Sequence, residues 1–277
     1  MNNPEESVAE RQAQRRGGVP PWSLKAAKEF LERFEVMDEV LHLCVCGIGV
    51  LTGMPGMAVA LTKDTAETEE TKKQLARVES LCRLAQREIS SNFAILHGQA
   101  SISSWNDLES LVKDIVSDWL CNRPETLHQL PWINFKVRVG DYEPLDVEQR
   151  AAYLVELADQ NVAGPLKQGV NRFEKLLETI GLSGSVADDV RQTLFELQQV
   201  RNVIVHSRGI ADQKICRSCP WLNLKLGDHV LIDHVTHARY RGAVCKYATE
   251  LVYRIREAFG DVVTRPSSSP KEPPLHK

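Results

Sequence analysis

Apolar residues recur at steps of three and four through most of this chain, and the places where the step breaks mark its joints. The clearest run is "SISSWNDLESLVKDIVSDWLCNRPE", where Ile102, Trp105, Leu108, Val112, Ile115 and Trp119 share one helical face. Pro124 ends it, because the residue before a proline is pushed out of the helical region. The same spacing predicts an amphipathic helix over "SLKAAKEFLERFEVMDEVL" and another over 75–90. Asp146 with Gln149 has the form of a capping pair opening a helix through Leu157. Pro165 suits a first helical position, and Leu166, Val170, Phe173, Leu177 and Ile180 mark a buried face that Gly181 stops. Ser185 with Asp188 opens a further helix, and Tyr240, Val244, Tyr247, Leu251 and Ala258 stripe the last one.

Two stretches change period. "INFKVRV" alternates as a strand does, and "WLNLKLGDHVLID" is expected to be a hairpin turning at Gly227-Asp228. The pattern therefore predicts a mostly α protein, a helical bundle with a small β-hairpin near the C-terminus and an extra helical N-terminal region. Its expected parts are a disordered stretch over 1–20, the N-terminal region over 21–91, the main domain over 92–260 and a disordered, proline-rich tail over 261–277.

One segment of the N-terminal region competes with that picture. Leu41 to Thr62, "LHLCVCGIGVLTGMPGMAVALT", carries no formal charge over about twenty residues, the length a membrane span needs. Its four glycines, the Met54-Pro55-Gly56 turn signature and flanks without Lys/Arg asymmetry favour two short buried helical pieces broken at Pro55. No membrane is then expected, with a span over 41–62 as the alternative.

Composition narrows the function classes. The 277 residues are 43% hydrophobic and 26% charged, enough for a sizeable core, and the net charge of -3 supplies no global field for nucleic acid. Any polyanion must bind at a local site. Seven cysteines, an odd and scattered set, fit reduced thiols and a cytoplasmic location, and "MNNPEESVAERQAQRRGG" lacks the apolar core of a secretory signal. There is no phosphate-cradling glycine loop, no HExxH, and "GLSGS" lacks the second glycine of a nucleophile elbow. Cys216 and Cys219 form one CxxC pair, followed by His229, His234, His237 and Cys245. Two residues separate His234 from His237 where zinc fingers use three to five, so neither a metal nor another cofactor is expected.

The helix opened at Asp188 carries the candidate chemistry. Val190, Leu194, Leu197 and Ile204 fall at steps of four, three and seven, and the missing stripe position is Arg201. Asn202 follows it, and His206 closes the run before Ser207-Arg208-Gly209. A buried guanidinium cannot lose its proton and requires an anion or several acceptors. One account is structural: a salt bridge with Glu109 or Asp114, and a histidine favoured by the dipole at a helix C-terminus. The other is an anion site, in which Arg201 holds a phosphate, His206 moves a proton and Asn202, four residues earlier on the same face, orients the ring. Five residues of ideal helix set Arg201 and His206 about 140° apart, so they converge only if the helix ends near His206 or two copies meet.

"VRNVIVHSRG" resembles the Rx4-6H motif of the HEPN superfamily, with Arg201, Asn202 and His206 in the motif positions. The Trp105 helix with Glu109, "GPLKQGVNRFEKLL" and "ADQKICRSCPWLNLKLGDHVLID" are similar to segments of bacterial HEPN-like proteins of the RiboL-PSP-HEPN type, so the resemblance covers roughly 92–260. It implies an α-helical bundle that forms a homodimer with two motifs facing one cleft. It implies, further, a metal-independent endoribonuclease, a toxin or a defence or stress-response RNase, with RNA as substrate and an antitoxin or other protein as partner. Catalysis would fall to Arg201, Asn202 and His206, with Arg208 and Glu109 contacting substrate. The alternative within the family is a non-catalytic protein-interaction or RNA-binding module.

Overall fold

Helices carry about three quarters of the chain that the computed structural model describes, residues 18–54, 56, 57, 68–161 and 168–265. The longer ones are α1 (Lys25–Leu51), α2 (Glu69–Ser90), α3 (Ala94–Asn122), α4 (Val147–Gln160), α5 (Val170–Glu178), α6 (Asp188–His206), the short α7 (Gln213–Ser218) and α8 (His234–Ala258). Most of the expected disordered stretch 1–20, the apolar run beyond 57, the Pro165 helix start and the tail from 266 lie outside the described residues.

Local chemistry explains the ends. Thr68 accepts from the Thr71 backbone N–H while Thr71 Oγ1 accepts from Thr68, a reciprocal cap that starts α2 at 69 rather than 75. Asp146 and Gln149 cap α4 in the same way, as their spacing predicts. The Ser185 cap does not form. Helix α6 begins after Ala187, with Asp188 and Asp189 in its first turn, where carboxylates complement the helix dipole.

α3 is the axis of the bundle and packs against α1, α4, α5, α6 and α8. Its Leu108, Leu111, Val112 and Val116 are fully buried, and burying each such side chain stabilises the fold by roughly 1.5–3 kcal/mol. The Trp105 ring lies 5.2 Å from Phe173 of α5, which stacks on Tyr247 of α8 at 6.2 Å. At the other end Trp22 meets Trp119 and Phe259 edge-on, those two rings are tilted against each other, and the Arg123 guanidinium lies 4.8 Å from the Trp119 ring. Tyr240, Val244, Tyr247 and Leu251 face inward on α8; Ala258, assigned to that row from the sequence, is exposed, and Ile255 takes the last inward position.

No strand forms among the described residues. "INFKVRV" is a 3-10 turn at Trp132–Asn134, extended chain, and a helical turn at Val139–Tyr142. Its alternation arises because the segment lies on the bundle: Trp132 is buried and donates its indole N–H to the Thr179 carbonyl at 2.9 Å, and Phe135 and Val137 pack behind it. The 221–233 segment does not fold back on itself as a hairpin. Its backbone pairs with the chain leaving α6, through Ala211 N–H to Asp228 O and Val230 N–H to Gly209 O, each 2.8 Å, leaving a single bridge between Ile210 and His229.

The N-terminal region differs most from expectation. α1 runs unbroken to Leu51 and turns at Thr52-Gly53, before Pro55. Its buried residues, Ala26, Ala27, Phe30 and Phe34, stop well short of the apolar run, in which Leu43 is 68% and Val50 69% exposed. The first of the two expected pieces, up to Met54, is therefore not a buried one, and most of the second lies outside the described residues. α2 returns alongside α1, with Cys82 Sγ 3.8 Å from the Thr52 carbonyl, and the two make a helical hairpin whose far part touches little else. Among the described residues no helix is long and apolar enough to cross a membrane.

Candidate functional site

The last turns of α6 and the start of α7 enclose an open cleft of about 340 Å³. Ser207 and Gly209 both donate backbone N–H groups to the Val203 carbonyl, closing α6, while Arg208 and Gly209 take positive φ angles of 54° and 74° that reverse the chain. Asp212 then caps α7 by accepting from the Ile215 N–H at 2.9 Å. This reversal sets Asp212 and Lys214 across from Asn202 and His206, and all four line the cleft with Gln199 and Ser207. His206 is solvent-exposed, as a proton-transfer group must be to meet a substrate.

Arg201 is placed differently. The inward arc of α6 swings from Val190, Leu194 and Leu197 to Val200 and Val203, so the arginine sits at the edge of the buried face rather than in its centre, and Ile204 is only partly buried. Its Nη1 donates to Asn202 Oδ1 at 3.3 Å, while its buried Nε has no hydrogen-bond partner among the described residues. α6 remains helical to His206, so the two motif ends keep their angular separation, and Arg201 does not line the cleft. No hydrogen bond joins Asn202 to His206 among the described residues; Asn202 engages the arginine instead.

Neither acid considered as an internal partner reaches Arg201. Glu109 faces Arg172 at 3.1 Å and Lys113 at 3.6 Å, in a network with Asp159 that ties α3, α4 and α5 together. Asp114 lies near Arg33 of α1, and its burial raises its pKa. Position 98 of α3 is where α6 comes close, an ideal Cβ on Gly98 lying 3.8 Å from Ile204 Cδ1, and Glu109 is eleven residues, about 16 Å, further along the axis. Glu109 and the cleft are thus separate, whereas the exposed Arg208 stands in the turn beside it.

A buried polar centre on α6 has no counterpart in the sequence reading. The Glu196 carboxylate is 1% exposed, accepts from Trp221 Nε1 and Tyr240 OH at 2.7 Å each, and pairs with Arg239. These partners hold its pKa below the usual value against the opposing effect of burial. The signal available was an acid on the inward arc one turn before Val200. Cys219 is buried close by, and burial pushes its thiol up to about 11, while Cys216 is half-buried. Among the described residues no group of three or more His, Cys, Asp or Glu side chains could hold a metal ion.

The base of the N-terminal hairpin holds a second concavity, a mostly apolar groove of about 780 Å³ bounded by Leu41, Leu43, Val45, Phe93, His97 and His234. Behind it His237 Nδ1 lies 2.9 Å from Ser101 Oγ, and burial together with the nearby His97 and Arg241 pushes the His237 pKa down to about 4. Neither a family model nor a curated protein nor a solved structure matches the chain.

Proposed function

We propose that the chain is a metal-independent endoribonuclease of HEPN type, acting as a homodimer in a toxin, phage-defence or stress-response setting. The observation that carries the reading is the exposed His206 at the rim of an open cleft that also holds Asn202 and Lys214, with a half-buried arginine beside Asn202 whose Nε has no partner among the described residues. The Nε itself is buried and Arg201 stands outside the cleft of its own chain, so its guanidinium would meet a phosphate oxygen only where a second copy brings the two motifs together. In the reaction the RNA 2′-oxygen attacks its neighbouring phosphorus, the bond from phosphorus to the 5′-oxygen breaks, and a cyclic phosphate and a 5′-hydroxyl result. One His206 takes the 2′ proton and a second, from the other copy, protonates the leaving oxygen; Arg201 offsets charge on the phosphorane. Two copies answer the angular separation within one chain. DNA, lacking the 2′-hydroxyl, is not a substrate.

The test is cleavage of single-stranded RNA with chelator present, with any antitoxin removed. His206→Ala should retain its helicity and lose about 10²–10⁴-fold in rate, the range for an acid–base group. Arg201→Ala should be inactive as well. Cleavage that survives in His206→Ala overturns the assignment.

A second reading, an RNA-binding or protein-binding module without catalysis, draws on the contact of Arg201 with Asn202 and its position outside the cleft. Failure of the wild-type dimer to cut diverse RNAs selects it.

A further inference from the structure

Seen end-on, α1 has two apolar faces with different fates. Met37, Leu41, Val45 and Ile48 are half-buried against neighbouring helices, but Val36, Val40, Leu43, Gly47 and Val50 lie on another face and are exposed. The exposed row steps by four, three, four and three, and Met54 and Met57 continue it in the turn beyond. That is the a/d spacing of a helix built to pack along another helix, repeated here on a face that nothing in the chain covers among the described residues.

We propose that this row seats the same row of a second copy, antiparallel, about a two-fold axis at Gly47. An isologous contact needs only one self-complementary surface, and the row is nearly symmetric about Gly47: Leu43 meets Val50 and Val40 meets Met54. An added Cβ at Gly47 would meet nothing within 4 Å, so two backbones can approach closely on the axis. Charge chooses the direction. No formal charge occurs from Val40 to Thr62, whereas Glu32 and Glu39 flank the N-terminal half of the row. A parallel pair would set each acid beside its own copy, about 10 Å away across the helix axes. The antiparallel pair moves the two Glu39 residues about 24 Å apart along the axis. The partner's Val50 and Met54 would then lie against the groove bounded by Leu41, Leu43 and Phe93, which is mostly apolar although Asp38 and Glu39 also line it, and an adaptable methionine suits its irregular shape. The row exposes on the order of 500 Å² per copy, so the pair buries ~1,000 Å², the lower bound of a specific interface.

The contact uses a face that the ribonuclease reading leaves free, so a chain that pairs through both assembles beyond a dimer; the two fail separately, one in RNA cleavage and the other in cross-linking across α1. The full chain should self-associate by light scattering at micromolar concentration. Leu43→Glu with Val50→Glu, both at exposed positions, should keep the helicity, weaken the α1 contact at least ~100-fold and lower the mass accordingly. In a background with the exposed Cys44→Ser and Cys46→Ser, mixing Leu43→Cys with Val50→Cys should give a disulfide-linked pair. Leu43→Cys alone should not, because its two copies lie about 12 Å apart along the axis, beyond disulfide reach. A monomer, a mass untouched by the double substitution, cross-linking by Leu43→Cys alone, or vesicle binding without self-association would each overturn the proposal.

Discussion

Helix α1 belongs to two regions that share a composition and differ in everything else. Its first ten residues send Phe30 and Phe34 into the bundle, where they stack at 5.4 Å. Its second half is the more apolar and buries no side chain fully. In the bundle, α3 and α6 carry apolar residues over a broad arc, as helices surrounded by neighbours do. Over Val36 to Val50 of α1 the exposed large apolar residues form one narrow row at a period of 3.5. Hydrophobicity alone therefore does not say that a helix is buried; the width and period of the apolar face say how many neighbours it is made for.

The difference can be broken by one substitution in each region. Leu194 of α6 is fully buried and Leu43 of α1 is mostly exposed. Leu194→Ala should cost about 2–5 kcal/mol through lost transfer energy and the cavity left behind. Leu43→Ala should change the stability of the monomeric unit by less than about 0.5 kcal/mol. Denaturant titration at a concentration too low for association checks both. A Leu43→Ala loss comparable to that of Leu194→Ala would mean that the hairpin row is covered within the single chain.

What the sequence made legible follows the same division. Where apolar residues repeat on a face with many neighbours, the reading is close: Trp105, Leu108, Val112, Ile115 and Trp119 all point into the core, as do Tyr240, Val244, Tyr247 and Leu251. Where burial is polar, it fails. Glu196 reads as a surface acid until Trp221, Arg239 and Tyr240, distant in sequence, close around it, and no local pattern encodes that meeting. Arg201 misleads in the opposite sense, because a single-row count ignores Val200 and Val203, which carry the inward face at the end of α6. In the candidate site, helical spacing puts Asn202 and His206 on one face, but Asp212 and Lys214 arrive through a chain reversal that periodicity does not describe. The apolar row of α1 was present in the sequence too; a period reports a face and leaves open what covers it.

The joint between the two regions should respond to acid. His237 on α8 lies at the hairpin base, facing Ser101 and His97 of α3, Asp38 of α1, and His234 and Arg241 of its own helix. Its folded pKa, pushed down to about 4, lies below the ordinary histidine value of about 6.5. Between these values the unfolded chain binds a proton that the folded chain refuses. Stability is thus intact above pH ~6.5 and falls as the pH drops toward 4, by roughly 2–3 kcal/mol. Asp118 works the other way. Burial raises its pKa to about 6, so the folded chain holds a proton there that the unfolded chain releases, and stability rises as the pH falls toward 4. The two oppose each other in the wild type, and the difference between wild type and His237→Gln isolates the histidine. Unfolding at pH 7 and pH 4.5 should show the variant losing less stability on acidification; equal losses would remove His237 from the account.

The smallest effect should come from the ion pair that ties the hairpin base to the bundle. Arg241 Nη2 lies 3.2 Å from Asp38 Oδ2, with the two side chains 38% and 49% exposed, so water and salt screen the attraction. A pair of this kind contributes about 0.2–1 kcal/mol. Asp38→Asn should therefore leave global unfolding within that range, and high salt should narrow the difference further. Arg241 has a second role, its guanidinium lying 4.9 Å from the centre of the Phe34 ring, and this contact persists when Asp38 is neutralised. Arg241→Met should accordingly cost more than Asp38→Asn. The sharper readout is local: amide exchange over the second half of α1 should quicken in both variants while exchange in α3 stays unchanged, because the pair anchors the hairpin and adds little to the core. Equal acceleration in α3 would show that the two regions unfold as one unit, and the contrast between them would then lie in exposure alone.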